Sequence, residues 1–347
     1  MAHDARREDY LRMSLRFALS LDEGSPDHAA RAFASFGRRF AQSRDSLPQS
    51  DADRAFHLVS LATELLDYRL PFVGEELVEP LRARARGMLD EALALDLSCH
   101  DAARMRTGLD VASHEERLRL LTERADLVRS SCEKDRDALC ELLEEPRRPL
   151  AASIAMRPWW RWLAETAECA LICGRNHAAL AAAEELMDAD PSDLSDVRFT
   201  LAYTLVKLED APGLERLVGR YPTLGDTRAD DAWILLSQAA LAYKRLELDA
   251  ARHLLERLLD AYRGCGAALA QQVEIGDGFF ARIRVPAYSE DELVVALSEG
   301  VVLLQEGVER TGKGVFGAWV AKTALELDPA APKGPVAKGA QRGAIGQ

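Results

Sequence analysis

The 347-residue sequence predicts an all-α protein: antiparallel helical hairpins stacked into a solenoid, with an extra helical pair at the N-terminus. Three observations predict it. Alanine, leucine, arginine, aspartate and glutamate dominate and only 6% of residues are aromatic, a balance that favours helix over sheet. Residues 157–191 read as two apolar helices that reverse at Gly174 and stop at Pro191; such a hairpin cannot bury its apolar face without neighbours. Two more hairpins follow it at a period of about 34 residues.

Residues 1–48 form the expected N-terminal cap. A first helix carries Tyr10, Leu11, Met13, Leu15, Phe17 and Ala18 and ends at Asp22-Glu23-Gly24. Ser25 as N-cap and Pro26 in the first turn start a second, on which Ala29, Phe33, Phe36 and Phe40 recur at helical spacing. Residues 49–146 read as a degenerate repeat region. Asp51 or Asp53 opens a helix with Ala55, Leu58, Val59, Ala62, Leu65 and Leu66, which Arg69-Leu70-Pro71 breaks, and a helix from about Val78 to Leu97 follows. A short helix runs from Asp101 to about Leu109. Ser113 and Glu116 then fit a capping box for a long helix to Glu145, with a kink or break expected at Ser130-Ser131.

Residues 147–263 carry the clearest hairpins. Pro158 suits a first helical turn, and Leu163, Ala167, Ala170 and Leu171 make one apolar stripe. Gly174 sits where the chain must reverse, a place that favours φ > 0. Ala179, Ala183 and Leu186 give the second helix a small-residue face, and Pro191 stops it. The next hairpin is 194–208 with 212–220, stopped by Tyr221-Pro222; another begins near Asp230 and closes with Ala250, Ala251, Leu254, Leu255 and Leu258. In 264–327, a glycine-bearing irregular stretch to 286 precedes two closing helices, 290–305 and about 314–327, the first with a capping box at Ser289–Glu292. The tail 328–347, rich in Pro, Gly, Ala and Lys, lacks the apolar area to order itself and is expected to be disordered.

Counted in units of about 34 residues from Trp160, the small eighth residue is Ala167, the mid-unit glycine Gly174, the alanine Ala179 and the closing proline Pro191. In this the hairpin resembles the tetratricopeptide repeat, although Leu163 holds the usual tryptophan position and small residues hold the usual tyrosine or phenylalanine positions. Gly213 falls at the small-residue position of the next unit, and Trp233 stands where the repeat prefers tryptophan. The order Arg157-Pro158 with Trp159-Trp160, Leu163-Ala164-Glu165, Gly174-Arg175, Asp190-Pro191-Ser192-Asp193 and Val197-Arg198 is similar to bacterial tetratricopeptide proteins related to the suppressor-of-tumorigenicity-seven family, over about 157–327. Position 190 is Asp rather than Asn, and the membrane segments of the eukaryotic relatives are missing. The resemblance implies a right-handed αα-hairpin solenoid and an interaction protein.

In that repeat the first helix of each hairpin lines a concave face, with its second, fifth and ninth residues inward. The register therefore places Arg161, Glu168, Arg198, Asp231 and Gln238 in a groove for a protein or peptide with polar or charged groups. Trp159, Trp160 and Trp162 divide between two readings: core packing, or an exposed anchor, for which Trp159 is the candidate.

A net charge of −13 repels phosphate backbones, so nucleic acid is not an expected partner. No apolar run approaches the roughly 20 residues that span a bilayer, and the first residues lack the apolar core of a signal peptide, so no membrane and a cytoplasmic location are expected. Six cysteines contain no C-x-x-C pair and read as small buried hydrophobes; Cys169 and Cys173, four apart, fit a helix–helix contact better than a metal. Gly276-Asp277-Gly278 is a lone turn signal, and Glu144-Glu145 and Glu184-Glu185 are solvated faces. No cofactor, metal or enzymatic activity is expected. Two other classes compete with the binding scaffold. One is a helical enzyme, with a site between 1–150 and the solenoid drawing on His57, His100 and His114. The other is a self-associating scaffold joined through Trp159–Trp162.

Overall fold

A computed structural model describes residues 4–21, 26–220, 228, 230–275, 285–307 and 312–329. Among these the regular structure is helical throughout, with no strand. The chain divides into two compact units, 2–190 and 191–347, and the dividing point falls inside the block 147–263.

In the unit 2–190, α1 (Ala5–Leu19) pairs with α2 (Pro26–Ser43) through aromatic rings: Phe17 stacks on Phe36 at 4.7 Å and meets Phe33 edge-on at 5.2 Å. Ser50 and Asp53 form a capping box that starts α3 (Asp51–Thr63). α3 runs on into a π-helical turn, Glu64–Arg69, and a 3₁₀ turn, Leu70–Phe72. α4 (Glu75–Leu95) lies against α3, and α5 (His100–Asp110) closes their shared core of Ala55, Phe56, Val59, Leu89, Ala92 and Met105.

The long helix α6 (His114–Leu142) packs along α7 (Arg148–Ile172), which pairs in turn with α8 (Asn176–Ala189). Two expectations fail here. No break occurs at Ser130-Ser131, because Val128 and Cys132 on either side are both buried and hold α6 continuous. Pro158 does not open a helix. α7 starts ten residues earlier, with Pro149 in its first turn, because Ala151 and Ile154 are already seated against Leu15 and Leu143; Pro158 lies inside it.

In the unit 191–347, α9 (Val197–Lys207) packs on α10 (Ala211–Arg220), and α11 (Ala232–Lys244) on α12 (Leu248–Ala261). α9 and α11 also pack on one another, with Phe199 stacked on Trp233 at 4.3 Å. The stretch expected to be irregular contains a short helix, α13 (Gly266–Gln271). α14 (Glu290–Glu299), capped by Ser289, continues after Gly300 as α15 (Val301–Leu304), and α16 (Val315–Leu327) returns alongside. α14 lies against α11 and α15 against α9, while α16 lies against α12 and α13. Gly317 lets α16 approach the end of α15: a Cβ there would meet the Leu304 carbonyl oxygen at 2.2 Å. The expected N-cap Ser25, the stop at Tyr221-Pro222, Gly276-Asp277-Gly278 and the tail beyond 329 lie outside the described residues.

One turn recurs in three hairpins. Gly174, Glu209 and Leu246 each take φ of 69°, 56° and 64°, roughly three dozen residues apart. At each, the next residue donates its N–H five residues back: Arg175 to Ala170, Asp210 to Leu205 and Glu247 to Ala242, at 2.8–2.9 Å. This is the Schellman arrangement, which satisfies the last helical carbonyls and suits glycine. A Cβ on Gly174 would meet nothing within 4 Å, so Gly174→Ala isolates the backbone cost, about 1 kcal/mol of lost stability. Leu246→Gly should have the opposite sign, a gain of about 0.5–1 kcal/mol, read by urea denaturation against wild type.

Candidate functional site

The residues assigned to the groove come first. Arg161 is 9% exposed. Its Nε and Nη2 donate to Asp101 of α5 at 2.6 and 2.5 Å, and its Nη1 and Nη2 donate to Glu8 of α1 at 2.9 and 3.2 Å. Arg12 and Arg157 also donate to Glu8. One turn further along α7, Glu165 accepts from Arg117 of α6 at 2.5 Å and from Arg104 of α5. The face of α7 expected to be an open groove is thus covered by α1, α5 and α6, and its charges are consumed in pairing them. Glu168 is half-buried near Arg117 and helps to stabilise that guanidinium. Trp159, Trp160 and Trp162 are all buried, and Trp162 Nε1 donates to the Leu121 carbonyl at 2.9 Å. The core reading of this cluster holds; it offers no exposed anchor and no homotypic patch.

Burial drives the Asp101 carboxyl upward, but the Arg161 guanidinium more than offsets this and holds it below the usual range. Glu165 behaves alike: burial raises it, and Arg117 and Arg104 bring it down further. Asp67, in the π-helical turn, lacks such compensation. Burial pushes its carboxyl up to about 6; Arg104 opposes this and Glu165 adds to it. A carboxyl raised in the folded state costs stability once pH exceeds its folded value, and costs nothing below its unfolded one. Asp67→Asn is therefore expected to stabilise the protein at pH 7.5 by on the order of 2–3 kcal/mol, with the gain shrinking between about pH 6 and pH 4. Urea titrations of both proteins across that range give the difference, and a constant difference would refute the assignment.

In the unit 191–347, Arg198 donates to Asp193 at 2.7 Å and to Asp196 at 2.6 Å, and its guanidinium lies 4.2 Å from the Phe199 ring centre. Asp193 also accepts from Val197 N at 2.7 Å. This group holds the start of α9. Asp231 is the N-cap of α11, accepting from Ile234 N at 2.9 Å. Both residues secure helix N-termini and neither lines a groove. The inner helices α9 and α11 are buried nearly all round, because α14 and α15 lie over them. Tyr203 donates to the Ala296 carbonyl at 3.1 Å, Lys207 to Glu306 at 2.7 Å, and Trp233 Nε1 to the buried Glu299 at 2.7 Å. Tyr262 bridges Glu292, at 2.7 Å, and Ala232 N, at 3.0 Å.

Gln238, the remaining residue assigned to the groove, lines an opening. It borders a surface cleft of about 160 Å³ between α10 and α11, with Ala211, Leu214, Glu215, Leu241, Ala242, Arg245 and Glu247. Two exposed leucines, Leu246 at 82% and Leu248 at 46%, flank its lining residue Glu247 in the chain.

The three histidines of the enzyme reading lie on three different helices. His57 of α3 is hydrogen-bonded to Asp9 at 2.8 Å. His100 opens α5, where burial holds it below the usual imidazole range against the pull of Asp101, Asp135 and Asp96. His114 opens α6. Among the described residues no group of three His, Cys, Asp or Glu is placed to hold a metal ion. All six cysteines are free; burial pushes Cys99 and Cys132 up to about 12, so neither is a thiolate near neutral pH. No helix among the described residues is long and apolar enough to cross a membrane.

Sequence reasoning missed Glu8, Asp101, Arg104, Arg117 and Asp67. A signal existed for Glu8: it lies at helical spacing with Ala5 and Leu15, on the side of α1 that is buried. No protein-family model matches this chain, and comparison with curated proteins returns no match.

Proposed function

We propose that the chain is a non-catalytic, cytoplasmic scaffold of tetratricopeptide-like hairpins that binds protein at the α10–α11 edge. The observation that carries this reading is the pairing of an open cleft with Leu246, a large apolar side chain that is 82% exposed beside it. The recurrent left-handed turn at Gly174, Glu209 and Leu246 supports the repeat assignment. The ion pairs around Arg161 and Glu165 support a structural use of buried charge, since each of these groups already has opposite charges at hydrogen-bond distance. An apolar dip rimmed by charge suits a protein surface, where a buried anchor supplies affinity and the rim supplies register.

The test is a photo-crosslinking side chain placed at position 246 in the full chain, in native extract. Position 97 is the control, because Leu97 is a comparably exposed leucine at 89%. Protein adducts at 246 that are missing at 97 are the expected result. The same adducts at both, or none at either, would remove the assignment of this edge.

A further inference from the structure

We propose that the occupant of this edge is a second copy of the chain, with Leu246 of each copy entering the cleft of the other about a two-fold axis. The inference rests on the reading of the α10–α11 edge as a protein-binding surface. Leu246 is the starting point because two independent costs meet there. Its φ of 64° lies in the left-handed region, which disfavours a leucine and which Gly174 satisfies freely at the same turn of another hairpin. Its side chain is also left in water, at 82% exposure. Neither local conformation nor burial within the chain accounts for a leucine at this position.

The hole lies beside the knob. Arg245 and Glu247, on either side of Leu246, both line the cleft, while Leu246 itself does not fill it. The cleft has apolar walls from Leu214, Leu241 and Ala242 and a volume of about 160 Å³. A cavity of roughly 150 Å³ admits a benzene-sized group, so one leucine side chain fits. A knob and a hole on the same face are satisfied together only by a two-fold arrangement, which closes at two copies.

Charge agrees with this geometry. Arg245 and Glu247 flank Leu246 in sequence and line the cleft together with Glu215, so its rim carries both signs of charge. A two-fold pairing that sets Arg245 of one copy against Glu215 or Glu247 of the second makes the rim attract, which a rim of one sign could not do. Arg245 and Glu247 are paired at 3.0 Å within the chain, with both side chains about half exposed, and so can exchange partners at little cost. One leucine per copy with two rim ion pairs belongs to the small, transient class of interface, so the dissociation constant should be roughly tens of micromolar.

Sedimentation of the purified full chain from about 1 to 200 µM tests the proposal. The expected result is a reversible monomer–dimer equilibrium. Leu246→Gly should weaken it about tenfold or more while leaving the chain folded and slightly more stable, which separates lost association from lost structure. Arg245→Glu should weaken it too, and Arg245→Glu combined with Glu247→Arg should restore it. A wild type that stays monomeric throughout, a dimer indifferent to Leu246→Gly, or no restoration by the double exchange would each overturn the two-fold arrangement. If the purified chain is monomeric while position 246 still crosslinks to other proteins in extract, this inference falls and the binding-edge reading stands.

Discussion

Arg161→Ala should lower the unfolding free energy of the 2–190 unit by about 3–5 kcal/mol at pH 7.5. Arg161 is the cation shared by Glu8 and Asp101, which are 1% and 2% exposed. Without it, Glu8 keeps Arg12 and Arg157, but Asp101 keeps only Arg104 at 3.8 Å. A buried carboxylate that has lost its cation costs far more than the net contribution of the intact pair, because desolvation is no longer offset. The pH dependence follows from the same groups. In wild type the Asp101 carboxyl is held below its usual range, so its contribution is present at neutral pH and lost as pH falls through that lowered value. In the variant burial dominates, and protonation relieves the cost earlier. The gap between the two proteins should therefore narrow on going from pH 7.5 to about pH 4.

Urea denaturation followed by near-ultraviolet circular dichroism measures it. Replacing the whole set, with Glu8→Leu, Asp101→Leu and Arg161→Met together, should cost much less than Arg161→Ala alone, since no charge is stranded. A single variant within about 0.5 kcal/mol of wild type would return Arg161 to solvent and to the groove first assigned to it.

Trp162→Ala is expected to cost a further 3–5 kcal/mol, by a different mechanism. Trp162 is 2% exposed, and its indole spans from α7 to the Leu121 carbonyl of α6. Truncation removes one of the largest fully buried side chains and leaves a cavity that two long helices, packed along one another, close only in part. Trp162→Phe keeps most of the volume and loses the hydrogen bond, so a smaller loss of about 1–2 kcal/mol should follow. The same denaturation experiment ranks the three proteins. An exposed anchor would leave stability untouched in both variants.

The helices and their ends were legible in the sequence where the determinant is local. Ser113 and Ser289 each cap a helix whose apolar residues recur at helical spacing, and Gly174 takes the positive φ its turn requires, whereas the cap of α3 is Ser50 rather than Asp51 or Asp53. Phe33, Phe36 and Phe40 face the ring cluster that their spacing announced. Local rules also misled. The proline inside α7, which costs a helix about 3 kcal/mol, and the milder paired serines inside α6 are both overridden by apolar residues on either side that are already packed.

Of the residues assigned to the groove, Gln238 lines the candidate cleft, though the repeat register placed it on the concave face and not at the α10–α11 edge. Helical register placed Arg161, Arg198 and Asp231 on an open concave face, but register carries no information about what comes to rest on a face, and all three are taken up in ion pairs or a helix cap. Arg161 meets partners 60 and 153 residues away, and Tyr203 meets a carbonyl 93 residues away. By itself, then, the sequence determined which segments become helix and where the chain turns, since propensity, caps and a period of 3.6 act within a few residues. Tertiary structure decided which faces are sealed and which stay open. Burial depends on distant helices, and a charged side chain is equally at home in water or against an opposite charge until one of them arrives.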